Sequence, residues 1–271
     1  MAYQAITYEK DERVAIISFN RAGQHNAFNA PLREEIPLAL KEAERDEGVR
    51  VIVITGAGER AFSAGYDLKE MPTDVEYTIA DWRERMASDY EFSAAVWRCS
   101  KPVIAMINGW CLGGALEFAQ MCDVRYCSDD SKFAVIETRF SFGIVTLVMP
   151  WVVGARCREL IYTGDTIGAE EALRLGLVNR VFPKAELRRE TIKIAKRMSQ
   201  VAQACLQWNK RALNYTAEAQ GFSAAMRYGV EACSILDATE TPEARQFEAL
   251  RRKDGLGAAL RWRDGLFAQY E

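Results

Sequence analysis

The chain has 271 residues, 49% of them apolar, and a formal net charge of −3. That length and composition support a large buried core, in one main domain or one plus a smaller one. The slightly acidic balance gives no electrostatic footing for nucleic acid, and no apolar run is long enough to span a bilayer.

In chain order, residues 14–19 (VAIISF) read as a strand. Asn29 is placed to cap a helix beginning near Ala30, with Pro31 in its first turn. Leu32, Ile36, Leu40 and Ala43 keep helical spacing, and Pro37 predicts a kink or a late start. Residues 51–55 (VIVIT) form a second strand, buried on both faces. The glycine-punctuated GAGERAFSAGYDLKEM follows. Residues 81–99 are amphipathic, with Met86, Tyr90, Ala94 and Trp97 on one stripe. A strand over 102–107 ends at Asn108-Gly109. Gly113-Gly114 then opens a buried helix over 115–122. Short strands are expected at 124–127 and 133–136, helices at 151–162 and 169–175, and a strand at 177–181. From Ala185 the pattern is almost wholly helical and far more charged. The chain is therefore α/β with a helical C-terminal extension, and the composition shift places the boundary near Gln200, dividing it into 1–200 and 201–271.

The run KPVIAMINGWCLGGALEFAQMCD organises the chain. Between Lys101 and Asp123 its one charged residue is Glu117. A carboxylate one turn into an apolar helix is unusual to bury. It lies at i+3 from Gly114, on the face of the free N–H groups of the first turn. Donors and a carboxylate then point into one small apolar space. Taken alone, Glu117 could equally be a core carboxylate satisfied by Trp110 or a backbone donor.

Other signals point away from metals, disulfides and nucleotides. Seven cysteines, an odd number with no C-x-x-C pair, fit reduced thiols in a cytoplasmic setting. The opening MAYQAITYEKDE has no apolar h-region and no Arg-rich amphipathic pattern. The single histidine, His25, removes H-E-x-x-H zinc sites and most His-rich metal sites, and reads as a solvated turn residue. Gly56-Ala57-Gly58-Glu59-Arg60-Ala61 matches G-x-G-x-x-A after a strand. A dinucleotide site needs a helix next and an acidic residue ending the following strand, and neither is present.

Two long motifs in order, AFSAGYDLKEM with Gly65-Tyr66-Asp67 and the 101–123 run, resemble the crotonase (enoyl-CoA hydratase/isomerase) superfamily. VAIISFNRAGQHNAFN is similar to its opening and TGDTIGAEEALRLGLVNRVFP to its late signature, so the resemblance covers nearly the whole chain. It implies a spiral of repeated ββα units. It also implies an acyl-CoA substrate, no separate cofactor and no metal, and an enolate held by two backbone N–H groups, here Tyr66 and Gly114. Backbone donors are fixed before charge develops and need no reorganisation. Ala64, Gly65, Tyr66, Asp67, Leu68 and Lys69, with Gly113, match the CoA-binding positions, and glycine at 114 lets the thioester approach the backbone. The hydratase branch adds two acid–base glutamates, matched by Glu117 and by Glu137 in FAVIE. One would activate water and the other supply the proton at Cα. For Glu137 the competing reading is a surface ion pair with Arg139.

The fold hosts several reactions, and this chain departs from the hydratase pattern. In place of the usual Pro-Gly-x-Gly-Gly-Thr loop stands TRFSFGIVTLVMPW, with Gly143 alone, and the opening lacks the usual Pro and basic pair. The C-terminal RRKDGLGAALRWRDGLF and the NGWC segment resemble hydroxycinnamoyl-CoA hydratase-lyases. Hydration is the leading expectation. A hydratase-lyase, isomerase or carbon–carbon hydrolase comes next, and a non-catalytic acyl-CoA-binding member last. Phe222, Tyr228, Leu250, Leu256, Trp262 and Phe267 are many apolar groups for a charged tail, and the resemblance implies a homotrimer or hexamer built through that region. The six tryptophans read as core or subunit contacts.

Overall fold

A computed structural model describes residues 3–71 and 77–270. Met1, Ala2 and Glu271, which the expected domain bounds include, lie outside the described residues. The chain opens with a hairpin, β1 (Ile6–Asp11) against β2 (Val14–Phe19), turned at Glu12, whose φ is +55°. Helix α1 (Ala30–Arg45) follows, then β3 (Val51–Gly56), β4 (Ala61–Ser63) and α2 (Ile79–Arg98). Next come β5 (Val103–Ile107), β6 (Trp110–Leu112), α3 (Gly114–Gln120), β7 (Val124–Ser128) and β8 (Lys132–Ala134). A 3₁₀ turn (Ile136–Phe140), α4 (Met149–Val153), α5 (Cys157–Thr163), β9 (Ile167–Gly168), α6 (Ala169–Leu175) and β10 (Arg180–Phe182) lead to five helices. These are α7 (Leu187–Met198), α8 (Gln203–Ala219), α9 (Phe222–Thr239), α10 (Pro242–Asp254) and α11 (Leu256–Phe267).

The strands form two sheets. One runs β1-β2-β3-β5-β7-β10 and is parallel from β2 onward; the other runs β4-β6-β8-β9. Each of the pairs β3/β4, β5/β6 and β7/β8 gives its first strand to the large sheet and its second to the small one. This is the expected spiral of ββα units. The inner strands β2, β3 and β5 are buried along their whole length, which suits a parallel sheet covered on both faces.

Asn29 caps α1, accepting from the Leu32 N–H. The helix neither starts late nor breaks at Pro37: Leu32, Ile36 and Leu40 are buried around that position, and this burial offsets the lost backbone bond. The expected single helix over 151–162 is two helices, because Gly154 takes φ +65° and interrupts it. The strand expected over 177–181 is confined to β10, after the α6 cap at Gly176. The strand expected over 133–136 ends at Ala134, since Ile136 opens the 3₁₀ turn.

The two charges that bracket the central run fasten it in place. The buried Lys101 ammonium donates to the Ala43, Asp46 and Val49 carbonyls at 2.8, 2.7 and 2.6 Å. Asp123 accepts from the Val103 N–H at 2.7 Å and from Lys210 of α8 at 2.8 Å. Phe118, beside Glu117, packs against Phe19, Phe28 and Phe92 with ring centroids 5.0–5.8 Å apart. That cluster sets the rotation of α3. Further on, α9 packs along α2, with Phe222 stacked on Trp97 at 4.4 Å and edge-on to Trp151 at 5.5 Å. Phe222 is thus an internal group, and Leu250, Leu256 and Trp262 pack on the cluster of Phe140, Phe247 and Ala259. Tyr228 remains exposed.

Candidate active site

All ten residues singled out in the sequence line one cavity of about 430 Å³: Ala64, Gly65, Tyr66, Asp67, Leu68, Lys69, Gly113, Gly114, Glu117 and Glu137. Three loops and the start of α3 converge there.

Glu117 sits in the first turn of α3, 5% exposed. Its Oε2 accepts from the Thr146 N–H at 2.6 Å and from the Thr146 hydroxyl. The partner is therefore Thr146, from the segment where a glycine-rich loop was missing, and not Trp110, which is exposed. Glu137 stands in the 3₁₀ turn after β8. Its Oε1 lies 2.6 Å from where a Cβ on Gly113 would be, so only glycine fits at 113, where φ is also +55°. Its Oε2 is buried and has no hydrogen-bond partner among the described residues. The ion pair considered for Glu137 is not formed: Arg139 instead bonds Asp165 at 2.7 Å and the Thr163 carbonyl at 3.0 Å.

Burial pushes both carboxyls upward. Glu117 rises to about 7, with burial the largest cause, the Thr146 bonds opposing it and the Asp89 charge adding to it. Glu137 rises well above the carboxylate range through burial, then through the charge of Glu117. Glu117 has two donors from Thr146 that favour its anion, while Glu137 has backbone donors that favour its anion and one unpartnered oxygen.

Neither of the two backbone amides is used within regular secondary structure, and the Gly114 N–H neighbours the Glu137 carboxyl, whose anion it favours. Phe28 bridges the strand at Tyr66 using the Gly65 carbonyl (2.8 Å) and the Asp67 N–H (3.1 Å). The Tyr66 N–H between them has no acceptor among the described residues. The Gly114 N–H, first in α3, has no acceptor within its helix. The two segments touch directly: a Cβ on Gly65 would lie 3.3 Å from the Gly114 nitrogen. A Cβ on Gly114 would lie 2.3 Å from Cε2 of Tyr66, so the tyrosine ring rests on the bare Gly114 Cα. The phenol points away into α2 and donates to the Asp89 carbonyl at 3.3 Å. Burial, then the charges of Asp89 and Glu117, raise its pKa, and it stays neutral.

Asp67 accepts from the Lys69 N–H at 3.1 Å and pairs with Arg21 at 2.9 Å, which fixes the 64–69 wall. Sequence reasoning missed Thr146, Asp89, Arg85 and Asp237. Asp89 is buried on α2 and paired with Arg33 of α1 at 2.5 Å. Asp237 reaches the cavity from α9 and accepts from the Gly143 N–H at 2.8 Å. No local pattern marks these residues, because each is brought in by packing between distant elements.

Comparisons with known proteins place this geometry. The family model described as enoyl-CoA hydratase/isomerase matches residues 9–232. The chain is 36% identical over 220 residues to a crotonyl-CoA hydratase of Syntrophomonas wolfei, covering 79% of this chain and 83% of that protein. It is 34% identical over 205 residues to a hydroxycinnamoyl-CoA hydratase-lyase of Pseudomonas fluorescens, covering 72% and 73%. The crystal structure of an enoyl-CoA hydratase/isomerase from Xanthobacter autotrophicus Py2 superposes with a TM-score of 0.94 at 35% identity, over 98% of this chain and 99% of that one. A model match over most of the length, relatives above 30% identity and a shared two-sheet spiral lead to one conclusion: this chain belongs to the enoyl-CoA hydratase/isomerase family.

Proposed function

We propose that this protein is an enoyl-CoA hydratase, a hydro-lyase that adds water across the 2,3 double bond of an acyl-CoA thioester. The observation that carries the reading is the placing of two buried carboxyls, Glu117 and Glu137, in one cavity with the backbone amides of Tyr66 and Gly114. The thioester oxygen would accept from the Tyr66 and Gly114 N–H groups. Charge that develops on that oxygen in the enolate then meets donors already in place. Glu117, oriented by Thr146, would hold the water as a carboxylate and take its proton as the oxygen adds to C3. Glu137, protonated, would deliver its proton to C2. The two carboxyls divide acid and base work because their surroundings push them up to different extents.

Ala64, Gly65, Asp67, Leu68 and Lys69 would carry the CoA chain along the cavity wall. The reaction needs no cofactor beyond the CoA of its substrate. Exposed Tyr228, Trp208, Leu213 and Tyr215 on α8 and α9 suit contacts between copies, and we assign a homotrimer or a hexamer. Seven free thiols, one of them exposed, suit the cytoplasm. A panel of enoyl-CoA esters tests the reading, followed by loss of the conjugated thioester absorbance. Hydration of 2-butenoyl-CoA is expected. CoA binding without turnover of any ester would overturn it in favour of a binding protein, and sedimentation as a monomer at micromolar concentration would overturn the assembly.

A further inference from the structure

One side of the cavity lies at the seam of α2 and α9. Arg83 and Glu231 clamp that seam with two bonds of 2.8 and 2.5 Å, and the Cys233 sulfur touches the Met86 sulfur at 3.3 Å. Two polar side chains face the cavity from opposite sides of the seam: Arg85, next to Met86, and Asp237, one turn beyond Cys233. They influence each other electrostatically but form no ion pair. The Arg85 guanidinium stands 6.0 Å from the Trp82 ring centroid and has no hydrogen bond or ion pair to any described residue. Asp237 spends Oδ1 on the Gly143 N–H, while Oδ2 faces only the Cys233 thiol, at 3.5 Å. Between apolar walls of Trp82, Met86 and Phe142 the cavity thus presents an unused donor opposite an underused acceptor.

We propose that this side of the cavity receives a thioester whose acyl tail carries a hydroxyl, which donates to Asp237 and accepts from Arg85. The inference rests on the acyl-CoA reading above and names the substrate class for that site. A hydroxyl is the simple group that satisfies donor and acceptor at once. A plain alkyl tail would strip water from both groups and return nothing. A carboxylate tail would pair with Arg85 but would meet Asp237, with Glu117 and Asp89 also facing the cavity, so like charges oppose it. The Asp89 charge is already matched by Arg33, which leaves Arg85 for the ligand.

The test uses 2-enoyl-CoA esters of equal chain length ending in methyl, hydroxyl or carboxylate. Their saturated counterparts, which cannot be hydrated, serve for binding by calorimetry. The hydroxylated ester is expected to exceed the methyl ester in kcat/KM by about tenfold or more, the effect of hydrogen bonds to charged groups. The saturated pair should differ in Kd in the same sense. Arg85→Met removes a side chain that holds no hydrogen bond or ion pair among the described residues, and Asp237→Asn keeps an oxygen for the Gly143 N–H. Each should shrink the hydroxyl-to-methyl ratio towards one, and because the ratio is taken within one variant, a general loss of activity cancels. Equal binding and turnover of methyl and hydroxyl esters would overturn the proposal, as would a preference for the carboxylate. A binding preference for the hydroxyl without hydration of any ester would sustain it while refuting the hydratase reading.

Discussion

Thr146→Val removes one of the two donors that hold Glu117 as a carboxylate and keeps the branched shape of the side chain. The hydroxyl favours the anion, so its loss raises the Glu117 pKa further. A hydrogen bond to a charged group contributes about 1.5–3 kcal/mol, and one pKa unit corresponds to about 1.4 kcal/mol, so the rise is about one to two units. Starting from about 7, the ionised fraction at neutral pH falls from about one half to about a tenth or below. A reaction that needs Glu117 as base then slows about fivefold or more near pH 7 and recovers above about pH 9. The assay is kcat/KM on 2-butenoyl-CoA across that range in both proteins. The acid limb of the variant's profile must move to higher pH. A limb that stays in place, with the rate lowered equally at every pH, would refute Glu117 as the base that Thr146 tunes.

Three further outcomes follow from the same geometry. Glu137→Gln should cut turnover by about a hundredfold or more while leaving CoA-ester binding close to wild type, since one acid–base group is lost and its shape is kept; full activity would point to chemistry with one carboxyl. Gly114→Ala places a Cβ 2.3 Å from the Tyr66 ring, so the ring or α3 must shift; turnover should fall sharply with CoA affinity less affected, whereas Tyr66→Phe, which loses only the 3.3 Å bond to Asp89, should keep most activity. Glu117→Gln should stabilise the fold at alkaline pH. The folded pKa of Glu117 lies above its ordinary value of 4.5, so its contribution to stability is lost as pH rises through about 7. Thermal midpoints of the two proteins should agree near pH 4, diverge as pH rises from about 4.5 to about 7, and keep a constant separation above that.

The central run was readable because each of its features has a local cause. An Asn-Gly break, a Gly-Gly helix start and one carboxylate in an apolar segment all lie within 23 residues. The strands β4, β6 and β9 were not readable. Each has two or three residues, too few to show a period of two, and they exist because a neighbouring strand supplies their bonds. Strand β1 was missed for a different reason: its ITYEKD sequence is polar, as an edge strand needs to be. Thr146 illustrates the limit at the site. The absence of a glycine-rich loop was visible, but that a threonine in the substituted segment would bond the Glu117 carboxyl depends on how the chain after residues 136–140 returns over α3. Asp89 and Asp237 depend on packing between elements far apart in sequence, with partners 56 and 94 residues away.

The seam between α2 and α9 also sets an order of events during synthesis. A nascent chain that has reached Gln220 already contains Tyr66, Gly114, Glu117, Glu137 and Thr146. It lacks the helix that covers Trp97 and Trp151 and carries Asp237. At about 5–20 residues per second, making the 18 residues of α9 takes about one to four seconds. Through that interval the two indoles and the open side of the cavity face solvent, and that exposed surface is the place where a holding chaperone would grip. The addition of α9, and not the completion of the two sheets, closes this side of the cavity.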